Sequence, residues 1–403
     1  MKSLRRLIML MILVGSISAV YAKREGEKEG HPDDKARWRY EQRAYPYGTL
    51  PANLLSQKVS DYRASFNQKS NNAQVLAEQP TWRQLGPFNV GGRVRAVVHH
   101  PTKDGWVYIG AAGGGVWRTT DGGDSWTPLM DFTNSTEMGA LAMDPNNPDI
   151  LYAGTGEYRS GSYSIAGAGI FKTTDAGATW RVIGLTNVGG FSKIYVHPKN
   201  SNLIYAGGID ANAGFYKSTD AGETWKRMNN GVISDISLHP DNPDDVIVGI
   251  AGENVFQTLD GGETWTNLLV DNAVTFARIS VQRSPANLNK LYMLAALSSS
   301  SGAPASYVST NGGKNWQSRN ITSTAFGGDP ARRQGDYDNF IMPHPADEKI
   351  CLLGGVDLFY TDNNASLWQE VAGYDFPETH PDMHCAAYNP MNPNIVYLGC
   401  DGG

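Results

Sequence analysis

His380, Asp382 and His384 alternate along HPDMH (380–384), so an extended backbone would place all three side chains on one face. Two imidazoles and a carboxylate so arranged can ligate a metal or move protons. Two further acids, Asp336 and Asp338, stand in QGDYDN (334–339), behind Arg332 and Arg333. Arg93, Glu157 and Arg159 complete the candidate binding residues outside any repeat. Against these stands a row of evenly placed aspartates. TTDGGDSW (119–126) is echoed by TTDAGATW (173–180), STDAGETW (218–225) and TLDGGETW (258–265).

The row reads as structure. Asp121, Asp175, Asp220 and Asp260 each sit two residues before a Gly and five before a Trp (Trp126, Trp180, Trp225, Trp265). Aspartate there can bond nearby backbone amides, and Gly supplies a positive φ. A fifth copy, STNGGKNW, has Asn311 before Trp316, keeping the hydrogen-bonding geometry while losing the charge. A turn tolerates that change and an acid catalyst does not. A sixth copy, Thr361 to Trp368, is expected to keep Asp362 and to be distorted by an extra residue.

These turns punctuate a repeat. The box residues are spaced by 54, 45, 40, 51 and 51 positions. Each unit reads as two short apolar strands around a Pro/Asn turn, a third strand, the box, and a Trp-led fourth strand. Four antiparallel strands at this period predict an all-β propeller of four-stranded blades. Thr81-Trp82-Arg83 echoes Thr179-Trp180-Arg181, a fourth-strand start, so residues 81–403 are expected to close as seven blades, with the chain stopping inside the last one.

The remaining sequence is read separately. Lys2, Arg5 and Arg6 precede an apolar run, Leu7–Val14, and Val20-Tyr21-Ala22 suits cleavage, so 1–22 is expected to be a secretory signal peptide. Its removal takes three cations and moves the formal charge from -6 to -9. Residues 23–80 carry charges of both signs and read as a linker or clasp with short helices. The mature chain is therefore expected outside the cell or on its surface, without a transmembrane segment, and no basic cluster invites nucleic acid. Neither a metal nor a cofactor is expected. Acidic turns at 144–149 and 241–245 lack calcium-loop spacing. Cys351 reads as a buried thiol, and Cys385 and Cys400 fall diagonally across one hairpin.

The box resembles the Asp-box, or BNR repeat, of sialidases, xyloglucanase-type glycoside hydrolases, sortilin-type receptors and photosystem assembly factors. GGRV (91–94), QGDYDN, HPDMHCAAYNP (380–390) and WRYEQRAYPYGTLP (38–51) resemble segments of large secreted bacterial proteins of the sortilin-like, glycosyl-hydrolase-like group, often type IX cargo. The resemblance implies that the boxes lie at the blade periphery. Sialidases carry an Arg-Ile-Pro motif that is missing here. Xyloglucanases carry a Thr-Asp-x-Gly-Gly at the end of the first blade's second strand, where this chain has Gly110-Ala111-Ala112-Gly113-Gly114-Gly115. The expected function is accordingly a non-catalytic propeller that recognises an extracellular protein or glycan at its loop-rich face. The alternative is a glycoside hydrolase, xyloglucanase- or sialidase-like, acting on extracellular polysaccharide with Asp336, Asp338 or Asp382 among its acids. On the first reading the His380 triplet bonds backbone amides at the channel mouth and fixes the closing blade.

Overall fold

The first two strands of each unit are the most apolar, and they are the most buried. Leu151–Thr155 and Val246–Ile250 are buried at every position, whereas the fourth strands at Thr127–Pro128 and Thr266–Asn267 are exposed. A sheet with that gradient must cover both faces of its inner half against neighbours. The computed structural model describes residues 91–157, 167–271, 273–298, 304–319, 321, 331, 334–374, 376 and 379–403. They form six four-stranded antiparallel meanders and one two-stranded sheet. The fold is an all-β propeller. Among the described residues no helix is long and apolar enough to cross a membrane.

The inner strands are Val94–His99, Met138–Met143, Gly190–His197, Ile233–Leu238, Phe276–Ser284, Phe340–Pro343 and Met383–Asn389. They line one central cavity of about 450 Å³. Between successive blades lie separate apolar cores, and the box tryptophans enter them: Trp180 packs beside Met130 and Met138, and Trp225 beside Tyr152 and Ile183. Trp265, Trp316 and Trp368 repeat the arrangement in the next three cores. Trp126 is the exception and stands 37% exposed.

At the seventh position the described residues place the hairpin of Met383–Asn389 and Asn392–Cys400, the start of a further unit, so six blades are complete, and the expected seven-bladed closure is not seen among the described residues. Residues 81–90, which were to supply a closing strand, lie outside the described residues, as do 1–80, where a signal peptide and a linker were expected. The hairpin is nevertheless joined to the first blade, through Gly91 N–H to the Gly402 carbonyl at 2.8 Å and Asn389 Nδ2 to Asp104 at 3.0 Å.

The box hairpin uses its aspartate internally. Asp121 Oδ1 accepts from the Thr119 hydroxyl (2.6 Å) and the Ser125 amide (3.0 Å), while Oδ2 accepts from the Ser125 hydroxyl (2.5 Å). Asp175, Asp220 and Asp260 repeat the pattern with Thr179, Thr224 and Thr264. The hydroxyl donors hold all four carboxyls below their ordinary range, Asp175 and Asp220 at about 2. Asn311 keeps both Oδ1 bonds. The sixth copy corrects the sequence reading: Asn363, not Asp362, occupies the box position, accepting from Thr361 and the Leu367 amide, and no residue is inserted. Asn364 and Ala365 take the two positive-φ positions at 64° and 59°.

Candidate functional site

Each box turn bonds the first-to-second-strand turn of its own blade, as in Gly122 N–H to the Gly105 carbonyl and Ala176 N–H to that of Asp149. The boxes therefore occupy one end of the propeller. The opposite end, where fourth strands lead to first strands and second strands to third, carries the non-repeating candidates.

A bulge repeated at the start of the inner strand builds this end. Register slips by one residue at Arg95, Gly139, Ser192, Ser234, Ala277 and His384. A bulge re-aims the side chain it adds. At Ser192 and Ser234 the hydroxyl reaches the carbonyl of the next blade, Ile233 at 2.5 Å and Ile279 at 2.7 Å. Gly139 has no room for anything more, since a Cβ would lie 2.2 Å from the Gly156 and Phe191 carbonyl oxygens. At Arg95 and His384, on the adjoining first and seventh sheets, the two re-aimed side chains meet: Arg95 Nη1 lies 2.5 Å from His384 Nδ1.

That contact fixes the imidazole. Arginine only donates, so Nδ1 accepts and Nε2 carries the proton, which it donates to Asp401 Oδ1 at 2.6 Å. Burial, then the Arg95 charge, lowers the His384 pKa to about 3. Asp401 is the hub. It accepts from Arg93 Nε at 2.6 Å and Nη2 at 3.3 Å, and from the Tyr337 hydroxyl at 3.1 Å. These donors outweigh its burial and hold its carboxyl well below the usual range. Arg93 Nη1 continues to Glu157 at 3.0 and 3.2 Å, and its guanidinium lies 5.1 Å from the Tyr337 ring centre. One network thus joins the second, first, seventh and sixth units.

Asp338 lies beneath it with the opposite electrostatics. Its residue is 0% exposed, and neither carboxyl oxygen receives a protein hydrogen bond. His384 Nδ1, already an acceptor for Arg95, lies 3.5 Å from Asp338 Oδ1. Burial first, then the neighbouring Asp382 charge, pushes Asp338 up to about 9, so it is a neutral acid at neutral pH whose proton is held toward Asp382. Asp382 itself is half-buried, raised by that burial, and sits at φ 67°, a left-handed conformation uncommon outside glycine. Its backbone is strapped, N–H to the Val356 carbonyl at 2.9 Å and carbonyl to the Asp401 amide at 3.2 Å.

The structure thus gathers Arg93, Glu157, Asp338, Asp382 and His384. His380 stands apart: it is exposed, its Nδ1 2.9 Å from the Pro381 carbonyl oxygen, and the bulge at His384 breaks the alternation that was to put the triplet on one face. Among the described residues no group of three or more His, Cys, Asp or Glu is arranged to hold a metal. Asp336 is partly exposed at the same end, its carbonyl 3.3 Å from Arg278. Arg159 lies outside the described residues. Asp401 was missed by sequence reasoning, which looked for a carboxylate at the second-strand end of the first blade only. The same place in the seventh sheet, Cys400-Asp401-Gly402-Gly403, holds one.

Comparison with known proteins bears on what such an end does. The family model for sortilin-Vps10 (sortilin, neurotensin receptor 3) matches residues 213–349. A xyloglucanase of Hypocrea jecorina is 30% identical over 146 residues, 33% of this chain and 17% of that protein. An oligoxyloglucan-reducing end-specific xyloglucanase of Emericella nidulans is 29% identical over 221 residues, 49% of this chain and 27% of that enzyme. The chain therefore spans only a minor part of these curated relatives. Among solved structures, a GH74 enzyme from Niastella koreensis superposes with a TM-score of 0.61 at 21% identity, covering 78% of this chain and 52% of that one. YCF48 bound to D1 peptide gives 0.54 at 14% identity, covering 78% and 92%. The structural likenesses carry the fold alone. The sequence relatives overturn the expectation of a non-catalytic binding protein, because they are glycoside hydrolases. Blades built on one repeat look alike whether or not a loop between them is catalytic, which is why the repeat could not decide this.

Proposed function

We propose that the chain is a glycoside hydrolase module acting on extracellular polysaccharide of the xyloglucan type. Sequence similarity to xyloglucanases across the blades supports this, and the observation that carries it is the Asp338–Asp382 carboxyl pair at the loop-rich end. Glycosidic cleavage needs an acid that is still protonated at working pH. Asp338 is too buried to touch a substrate and acts as a positioning residue that keeps a proton at the pair. Asp382, the half-exposed member, delivers it to the glycosidic oxygen. The anomeric carbon takes up water, and that water loses its proton to Asp336, the carboxylate in the loop entering the neighbouring blade. Export follows from the signal segment 1–22, the type IX route from the resemblance of the leader-proximal segment, and a seventh blade from the hairpin's place in the ring.

The test is release of reducing ends from tamarind xyloglucan. The unaltered protein is expected to release them, and Asp382→Asn and Asp336→Asn to lower kcat by at least about a hundredfold. Hydrolysis of neither xyloglucan nor its oligosaccharides would reject the reading. Full activity in Asp382→Asn would reject the assignment of the acid.

A further inference from the structure

The central cavity is walled by charge as well as by apolar side chains. Lys193 reaches it from the third inner strand, Asp235 from the fourth, Arg278, Gln282 and Arg283 from the fifth, and Arg95 from the first. Lys193 lies deep in the propeller, yet its side chain is 40% exposed, because the cavity of about 450 Å³ opens beside it. That is room for a small solute with its waters. The ammonium stands 3.8 Å from Asp235 Oδ1, beyond hydrogen-bond reach. The carboxylate is committed elsewhere. Its Oδ1 accepts from the Ile236 amide at 3.0 Å, and Oδ2 from the Val281 amide at 2.9 Å and Gln282 Nε2 at 2.8 Å. The lining charges do not cancel. Arg283 is matched by Asp245 at 2.9 Å and Arg95 by Glu157 at 3.7 Å, which leaves Lys193 and Arg278 facing Asp235 alone. Arg278 bonds the carbonyl oxygens of Asp336, Tyr337 and Asn339, which carry no charge. The second and sixth inner strands line the cavity with Gly139–Met143 and Phe340–Pro343, none of them charged. On the seventh, His384 is neutral at pH 7, and burial pushes the Cys385 thiol up to about 12.

We propose that the central cavity binds a small tetrahedral oxyanion of the phosphate or sulfate class, with the Lys193 ammonium as its donor and Arg278 as the second positive charge. A cavity with low-dielectric walls and an excess of one sign concentrates the counter-ion. Lys193 and Arg278 feel each other's charge, and an anion between them relieves that repulsion. An ammonium on a flexible stem brings three rotatable donors to a phosphate-like oxygen cluster as a point charge. The site is distinct from the Asp382 end and holds whether or not the chain cleaves glycans.

Titration calorimetry of the full chain with inorganic phosphate and with sulfate, at constant ionic strength set by chloride, is expected to show saturable binding. The Tm is expected to rise with either anion by mass action. Lys193→Met keeps the stem, removes the charge, and is expected to weaken phosphate binding by about tenfold or more. Asp235→Asn removes the opposing charge and is expected to tighten it by about threefold to tenfold. Opposite signs in the two variants separate this cavity from lysines on the outer surface. Absence of saturable binding by both anions overturns the site, and so does an equal rise in Tm with chloride at the same ionic strength. Unchanged affinity in Lys193→Met overturns it as well. If Lys193→Met does not fold, unchanged or weaker phosphate binding in Asp235→Asn overturns it.

Discussion

Arg93 and Asp401, 308 positions apart, meet side on, with Nε 2.6 Å from Oδ1 and Nη2 3.3 Å from Oδ2. The pair joins the first blade to the two-stranded seventh sheet, where fewer strands are available to pack. Its side chains are 21% and 20% exposed, so the interaction is only partly screened by solvent. Asp401→Asn removes the charge that Arg93 and His384 face and leaves both donors in place. It is expected to lower stability by about 2 kcal/mol, a fall in Tm of roughly 2–4 °C for a propeller of this size, read by calorimetry. An unchanged Tm would mean that the ring is held at this seam by other contacts.

Asp338 sets the alkaline side. Its folded pKa, about 9, lies above its ordinary 3.8, so the native state binds a proton that the unfolded state has lost. The stability this contributes is full below pH 3.8 and declines as pH rises toward 9, at up to about 1.4 kcal/mol per pH unit. Asp338→Asn abolishes the dependence. Melts at pH 5, 7 and 9 are expected to show the variant gaining on the parent with rising pH and surpassing it at pH 9. Parallel curves would place a charged Asp338 in the folded protein.

His384 sets the acid side. Its folded pKa, about 3, lies below the ordinary 6.5, so between these values the unfolded state binds the extra proton and native stability falls as pH falls. His100 and His197, lowered chiefly by burial, add to the same trend. His384→Gln can accept from Arg95 and donate to Asp401 without titrating. Its urea midpoint is expected to change less between pH 6.5 and 4 than the parent's. An identical slope in both would show that His384 is not the group responsible.

The blades were legible because each repeats the same physical requirement: an apolar strand pair, a turn that needs positive φ, and a Trp to fill the next gap. The sixth box was misread because Asp362 drew the eye as a carboxylate, whereas the turn selects by position and takes the amide of Asn363. The mouth was only partly legible. Asp336, Asp338, Asp382 and His384 stood out as unrepeated polar residues, but the alternation of His380, Asp382 and His384 suggested a shared face that the bulge at His384 removes. Asp401 was not found, because its importance comes from partners such as Arg93 and Tyr337 that are distant in sequence.

The box aspartates give the last discrimination. Asp121 uses Oδ1 to join Thr119 to the Ser125 amide across the turn, and Oδ2 only for the Ser125 hydroxyl. Asn311 holds the first two bonds without a charge. Asp121→Asn should therefore melt close to the parent, while Asp121→Ala, which leaves the Ser125 amide and the Thr119 hydroxyl without their acceptor, should melt lower. Both should hydrolyse xyloglucan at the parental rate when assayed below their melting range, because the box end and the Asp382 end of the blade are opposite. Loss of turnover in Asp121→Asn with an unchanged melt would move the chemistry to the box end and end the distinction between the two.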